Sequence, residues 1–231
     1  MTAKQVVPGL YQLSNQGINA FLVDDASNGL ILIDSGFPKH AEALEKDIHS
    51  IGRELSDLTA ILITHAHPDH LGNAERLSGG TTPISLHPAD WEIARAGIVY
   101  QTMTATPGLL NGILFRLFIG KKPAEFASFE PDVELNDGDT IDIAGGIEVI
   151  HTPGHTFGHV SLRWKRDRGL LITGDAAANL MGLGYSLGYD DIEAGKASLA
   201  KLARLDFEAA VFGHGKPILS GASHRFASKF G

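Results

Sequence analysis

Four side chains able to ligate a metal stand close together in Thr64-His65-Ala66-His67-Pro68-Asp69-His70. Neutral imidazole and carboxylate suit Zn, Fe, Mn or Co. A lone surface His carries no such meaning, but three His and an Asp crowded into one interior loop do. Three further segments repeat the theme. Ile150-His151-Thr152-Pro153-Gly154-His155 runs straight into Thr156-Phe157-Gly158-His159. Leu171-Ile172-Thr173-Gly174-Asp175 ends on an acid, and Val211-Phe212-Gly213-His214-Gly215 on a His flanked by glycines that allow close backbone approach. With no Cys in the chain there is no thiolate ligand, disulfide or Cys nucleophile. The chemistry these residues can support is therefore metal binding through nitrogen and oxygen, and metal-assisted attack by water.

Each of these segments follows an apolar run, and positions of this kind on a rigid scaffold are where sites are held. Ile18–Val23, Gly29–Ile33 and Ala60–Ile63 read as buried strands because they lack polar alternation. Asp24–Asn28 reads as the turn between the first two. Ala41, Leu44, Ile48 and Ile51 recur at helical spacing after Pro38. Residues 89–129 hold two helical stretches, Asp90–Ile98 and Leu109–Ile119, and few strand signals. Strands resume at Thr140–Ile143, Ile147–Ile150, His159–Trp164 and Leu170–Ile172; a helix near Glu193–Arg204 then leads to a strand at Ala209–Phe212.

The formal charge of −8 on 231 residues argues against nucleic acid as the main partner, because phosphate binding needs a concentrated basic surface. The most lipid-like stretch, Leu109–Ile119, contains Arg116 and falls well short of the roughly 20 apolar residues of a membrane span. The N-terminus lacks the apolar core of a signal peptide. The expectation is a cytoplasmic protein with a small-molecule substrate and neither nucleic acid nor membrane as partner.

The order HxHxDH, then His, Asp and His, resembles the metallo-β-lactamase superfamily. Here it reads His65, His67, Asp69, His70, His155, Asp175 and His214, preceded by Leu32-Ile33-Asp34-Ser35-Gly36 and including HTPGHTFGH at 151–159. The resemblance implies an α+β fold, an αββα four-layer sandwich of two mixed sheets with outer helices. It spans 1–231 as a single domain with a helical insertion at about 89–129. It also implies that His65, His67 and His155 bind one metal, that Asp69, His70 and His214 bind another, and that Asp175 bridges them. Asp34 and His159 would support these ligands from behind. Two divalent ions, most simply Zn with Fe or Mn as alternatives, can share a hydroxide of lowered pKa and polarise a carbonyl. Asp69 is the candidate for proton transfer. The implied activity is binuclear hydrolysis of an ester-type bond in a thioester, lactone or related acyl substrate. A mononuclear iron persulfide dioxygenase and a non-catalytic metal-binding module are the alternatives.

Departures from known branches narrow the choice. Asp175 stands where the zinc β-lactamases use Cys or Ser, and from the short tail after His214 the expectation is a chain without the glutathione-binding domain of glyoxalase II. Ala178 occupies the position of a lactonase Tyr, with Tyr185 or Tyr189 as possible substitutes. The apolar residues of 89–129, from Trp91 to Phe118, give that section three readings: ordinary core, a lid over the site, or a homodimer interface. Phe118, Phe157 and Tyr185 are the candidate substrate-pocket residues. His40, His49 and His224 read as solvated, His87 as structural, His151 as a strand end and Thr64 as a backbone-bonding residue.

Overall fold

An apolar run without polar alternation needs cover on both faces, and the strands of this chain have it. The structure, a computed structural model, describes residues 3–25, 29–100, 102–119, 123–166 and 168–231. The first sheet is formed in chain order by β1 (Lys4–Val7), β2 (Leu10–Asn15), β3 (Ile18–Asp25), β4 (Gly29–Ile33), β5 (Leu58–Leu62), β6 (Ile84–Leu86) and β7 (Val133–Glu134). Its first four strands pair antiparallel, and β4 to β7 run parallel. The second sheet is β8 (Thr140–Ile141), β9 (Ile147–His151), β10 (Val160–Trp164), β11 (Leu170–Ile172) and β12 (Ala209–Val211), antiparallel except for β11 beside β12.

Strand periodicity divides each run between two cores. In β4, Ile31 and Ile33 face the second sheet and pack with Val149, Val160, Leu162 and Ile172. Their neighbours Leu30 and Leu32 face outward, against Leu44 and Ile48 of α1 (Ala41–Ser50). In β11, Leu170 and Ile172 point inward, whereas Leu171 packs outward with residues of the helices on that side. The section after β6 contributes α2 (Trp91–Ala96) and α3 (Leu109–Phe118). The outer layer of the second sheet is α4 (Ile192–Leu202) and α5 (Ala222–Phe230), joined to it through Leu199, Leu202, Phe226 and Phe230. The result is the expected αββα order, with each fully buried Ile or Leu contributing roughly 1.5–3 kcal/mol.

The strands and helices read from the sequence are all present within one to three residues, and the structure adds others. The N-terminal β1–β2 hairpin and α5 were not foreseen. The chain stays in strand through Asp25, and the rest of the expected turn, 26–28, lies outside the described residues. Section 89–129 is not purely helical, since it also holds the two-residue strands Ile98–Val99, Thr104–Ala105 and Ala124–Glu125. His49 and His224 are exposed as expected, but His40 is only 4% exposed, edge-on to Phe37. Burial lowers its pKa and keeps the imidazole neutral.

Candidate metal centre

The site forms where strands of both sheets stop. Asp34 follows β4, His65 to His70 follow β5, and His155, Asp175 and His214 follow β9, β11 and β12. Asp34 takes a left-handed φ of +59°, a conformation that Asp tolerates better than most residues. Its amide donates to the Leu62 carbonyl at 2.9 Å, which locks the β4 exit against the β5 exit. The Val160 amide donates to the Thr64 carbonyl at 2.8 Å and joins the His loop to the second sheet. Asn73 secures the Asp34 turn from below, its Nδ2 donating to the carbonyls of Ser35 and Phe37. At Gly213 a Cβ would sit 2.7 Å from His70 Cε1 and collide with the Asp175 carboxylate, so only glycine lets the β12 exit come this close.

Hydrogen bonds behind the imidazoles decide which nitrogen faces the centre. His70 Nδ1 donates to Asp34 Oδ2 at 2.8 Å, and His155 Nδ1 donates to the Gly188 carbonyl at 2.9 Å. His214 Nδ1 donates to the Gly17 carbonyl at 3.0 Å. His65 Nδ1 lies 3.0 Å from Thr64 Oγ1, whose own proton goes to Asp34, leaving the hydroxyl to accept from the ring. These four rings therefore turn Nε2 inward. His67 differs in presenting Nδ1, 3.0 Å from His155 Nε2. His159 has the same tautomer as those four, but its Nε2 is already taken: it accepts the Asp175 amide at 2.9 Å while Nδ1 donates to Thr152 Oγ1 at 2.8 Å.

Ligand-type atoms of His65, His67 and His155 lie within 4.8 Å of one another, as do those of His65, His70 and Asp175, and those of Asp69, His70 and His214. Asp175 stands between the groups, Oδ2 being 3.5 Å from His155 Nε2 and 3.2 Å from His214 Nε2. His65 Nε2, His70 Nε2 and Asp175 Oδ1 are buried without a hydrogen-bond partner. Buried polar atoms are rarely left so, and inward lone pairs on imidazole beside anionic oxygens are the donor set that a divalent cation satisfies. The residues fit a metal.

Charge divides the cluster in two. Burial, reinforced by neighbouring imidazoles, holds His65 well below its ordinary pKa and brings His67 down to about 3. Burial also lowers His155 and His159, so these rings are neutral at pH 7. Burial opposes charge on His70 as well, but Asp69, Asp175 and Asp34 outweigh it and raise this ring to about 9. His214 is raised in the same way by Asp175 and Asp69. In return, His70 and His214 overcome the burial of Asp69 and Asp175 and hold both carboxyls well below the usual carboxylate range.

The remaining candidates spread outward. Tyr185 is 38% exposed and reaches His155 only through Tyr189, with ring centroids 6.4 Å and then 5.9 Å apart. The Tyr189 hydroxyl is already occupied, donating to the Ala176 carbonyl and accepting from the Ser186 amide. Phe157 is exposed, and its carbonyl accepts from His151 Nε2. His151 is stacked on His87 at 4.1 Å, which makes His87 structural as expected. Phe118 lies at the end of α3, 74% exposed, and no residue of that helix is buried, so the core reading of α3 is overturned. Its Phe115 packs on Gly188, the residue whose carbonyl orients His155. Gly188, Asn73 and Asp90 went unnoticed in the sequence. Asp90 stands two residues after Pro88, as the first residue of the helical stretch Asp90–Ile98, where its type carries no signal of a role at the metal loops.

A family model described as the metallo-beta-lactamase superfamily matches residues 14–214. An uncharacterized protein of Mycobacterium tuberculosis (strain ATCC 25618 / H37Rv) is 32% identical over 181 residues, 72% of this chain and 73% of that protein. The probable metallo-hydrolase YflN of Bacillus subtilis (strain 168) is 27% identical over 232 residues, 93% of this chain and 86% of its own. The subclass B3 metallo-beta-lactamase BJP-1 of Bradyrhizobium japonicum shares the fold, with a TM-score of 0.71 and 22% identity over 93% of this chain and 78% of that one. By its sandwich, its histidine–aspartate cluster and the extent of these matches, the chain belongs to the metallo-β-lactamase superfamily.

Proposed function

We propose that this protein is a binuclear metal-dependent hydrolase, with zinc the simplest occupant, that cleaves an ester-type bond in an apolar thioester, lactone or related acyl substrate. The observation that carries the reading is the pair of outer donor groups, His65–His67–His155 and Asp69–His70–His214, with the Asp175 carboxylate between them. When bound, two such ions activate water as the nucleophile and polarise the scissile carbonyl. The chain supplies the rest. Proton transfer is assigned to Asp69 by position: its side chain is 22% exposed and lies 3.7 Å from His70 Nε2 and 3.4 Å from His214 Nε2, where it can take a proton from the attacking water and return it to the leaving group. Asp34 and the Thr64 hydroxyl hold His70 and His65 in the ligating tautomer.

The apolar preference rests on α3. Leu110, Ile113, Leu117 and Phe118 are exposed on a helix anchored through Phe115 to Gly188, and Phe157 and Met181 of the loops after β9 and β11 are exposed as well. A helix so placed serves as a lid that meets an acyl chain. A second copy of this chain on the same face is the other occupant. Among the described residues no helix is long and apolar enough to cross a membrane.

The test is metal analysis of protein purified without added metal, beside a hydrolysis panel of thioesters, lactones, β-lactams and phosphodiesters. About two metals per chain with metal-dependent turnover is the expected result. One iron per chain and no hydrolysis would transfer the reading to the dioxygenase. Phe118→Lys separates lid from interface: a changed acyl-chain preference with unchanged mass in solution favours the lid, and the reverse favours the dimer.

A further inference from the structure

Asp90 is 1% exposed and lies at the N-terminus of α2, but its side chain caps nothing in that helix. The hydrogen bonds of its carboxylate cross to the metal-centre loops. Oδ2 accepts the Ala66 amide at 2.9 Å and the Thr156 hydroxyl at 2.8 Å, and Oδ1 accepts the Gly158 amide at 2.8 Å. Ala66 is the residue between His65 and His67. Thr156 follows His155, and Gly158 precedes His159. One carboxylate thus ties the loop that leaves the first sheet to the loop that leaves the second, at the place where His67 Nδ1 and His155 Nε2 approach to 3.0 Å.

The fit is tight as well as polar. A Cβ on Gly158 would come within 2.5 Å of Asp90 Cγ and 2.8 Å of its amide nitrogen, so the loop passes directly over the carboxylate. There is no slack in which a longer acid could fold back. Three short bonds to one buried anion are charge-assisted and stronger than neutral ones. They also fix direction, because the two amides meet different oxygens.

We infer that Asp90 is a positioning residue that holds the His65–His67 segment and the His155 loop at metal-binding separation, and so sets the affinity of the His65–His67–His155 donor group. This rests on the metal-hydrolase reading above. Asp90 touches neither substrate nor reacting atoms, and none of its hydrogen bonds goes to Asp69, His70 or His214. Its effect is therefore confined to one of the two donor groups. A merely structural residue would lower stability without that asymmetry.

Asn cannot replace it, since an amide offers one accepting atom where two oxygens face backbone N–H groups. The experiment is zinc titration of full-length protein in chelator-buffered solution, comparing wild type with Asp90→Asn, Asp90→Glu and Thr156→Val. Zinc uptake by the His65–His67–His155 group is expected to weaken about 10- to 100-fold in Asp90→Asn, the usual range for loss of an outer hydrogen-bond partner. Uptake by the other group should be unchanged, and adding Asp90→Asn to a His155→Ala background should cause no further loss. Asp90→Glu should fail to rescue, and Thr156→Val, which removes one donor of three, should cost a few-fold. If Asp90→Asn does not fold, Thr156→Val decides. Wild-type affinity in the folded variants would overturn the inference while leaving the hydrolase intact. Wild type that takes up no zinc, iron or manganese would overturn both.

Discussion

Replacing Asp34 by Asn changes one atom and isolates what the carboxylate does for His70. Asn accepts the left-handed φ of +59° as readily as Asp, so no backbone strain is added. Its oxygen can stay at the Oδ1 position and keep both Thr64 donors, at 2.8 Å and 3.0 Å. Its amide nitrogen then stands at the Oδ2 position, 2.8 Å from His70 Nδ1, where two donors would face each other. The ring escapes by moving its proton to Nε2, the nitrogen that lies 3.6 Å from Asp175 Oδ1 and 3.7 Å from Asp69 Oδ2. A protonated Nε2 cannot ligate. Restoring the ligating form costs about one charge-assisted hydrogen bond, roughly 1.5–3 kcal/mol, or about a 10- to 100-fold loss of affinity at the donor group containing His70. Chelator-buffered zinc titration reads the affinity, and nitrogen NMR of the metal-free protein above pH 9, where His70 has lost its extra proton, reads the tautomer. Undiminished affinity at both donor groups, or an Nδ1–H form of His70 in the variant, would refute the reasoning.

Metal uptake should depend on pH differently in the two groups. His65, His67 and His155 are held neutral by burial, so binding there should be nearly flat between pH 6 and 8; His70 and His214 have raised pKa values and must release protons, so binding there strengthens as pH rises towards about 9. Equal pH slopes in titrations at several pH values would contradict this. Gly213→Ala should cost about 1–3 kcal/mol of stability in chemical denaturation, by overpacking, and should weaken zinc binding because the new methyl meets His70 and Asp175. Gly112→Ala is the contrast: it stands within α3 with open space around its Cα, and should stabilise by about 0.5–1 kcal/mol through helix propensity alone.

Much of this centre is legible because its ligands are local in sequence. His65 to His70 fall in one turn after a strand, and the apolar runs before them mark that strand whatever it pairs with. What escapes is decided at long range. Asp90 looks like any acid at a helix start, and only the folded chain brings Ala66 and Gly158 to its two oxygens. Gly188 acts through a carbonyl, which no side-chain pattern reveals. His40 has a polar side chain, yet it is buried edge-on to Phe37 and beside the Gly36 turn. The β1 strand is half exposed at a sheet edge, so Lys4-Gln5-Val6-Val7 carries little apolar signal. In α5 the signal exists, with Ala222, Phe226 and Phe230 four apart, but it is diluted by the charged residues between them.

The two sheets are joined directly at the metal centre, by Val160 to the Thr64 carbonyl, by Asn19 to the carbonyls of Phe212, Gly213 and Gly215, and by His214 to the Gly17 carbonyl. Neither donor group is complete on one side of that seam. His65, His67, Asp69 and His70 come from the first half of the sandwich, and His155, Asp175 and His214 from the second. The centre is thus a clasp as well as a reagent. A nascent chain that has made only its first half presents an incomplete set of donors, so tight capture of a metal reports that the whole sandwich has closed. Since a ligand that binds only the native state stabilises it by mass action, a metal held by this donor set would latch the two halves of the sandwich together.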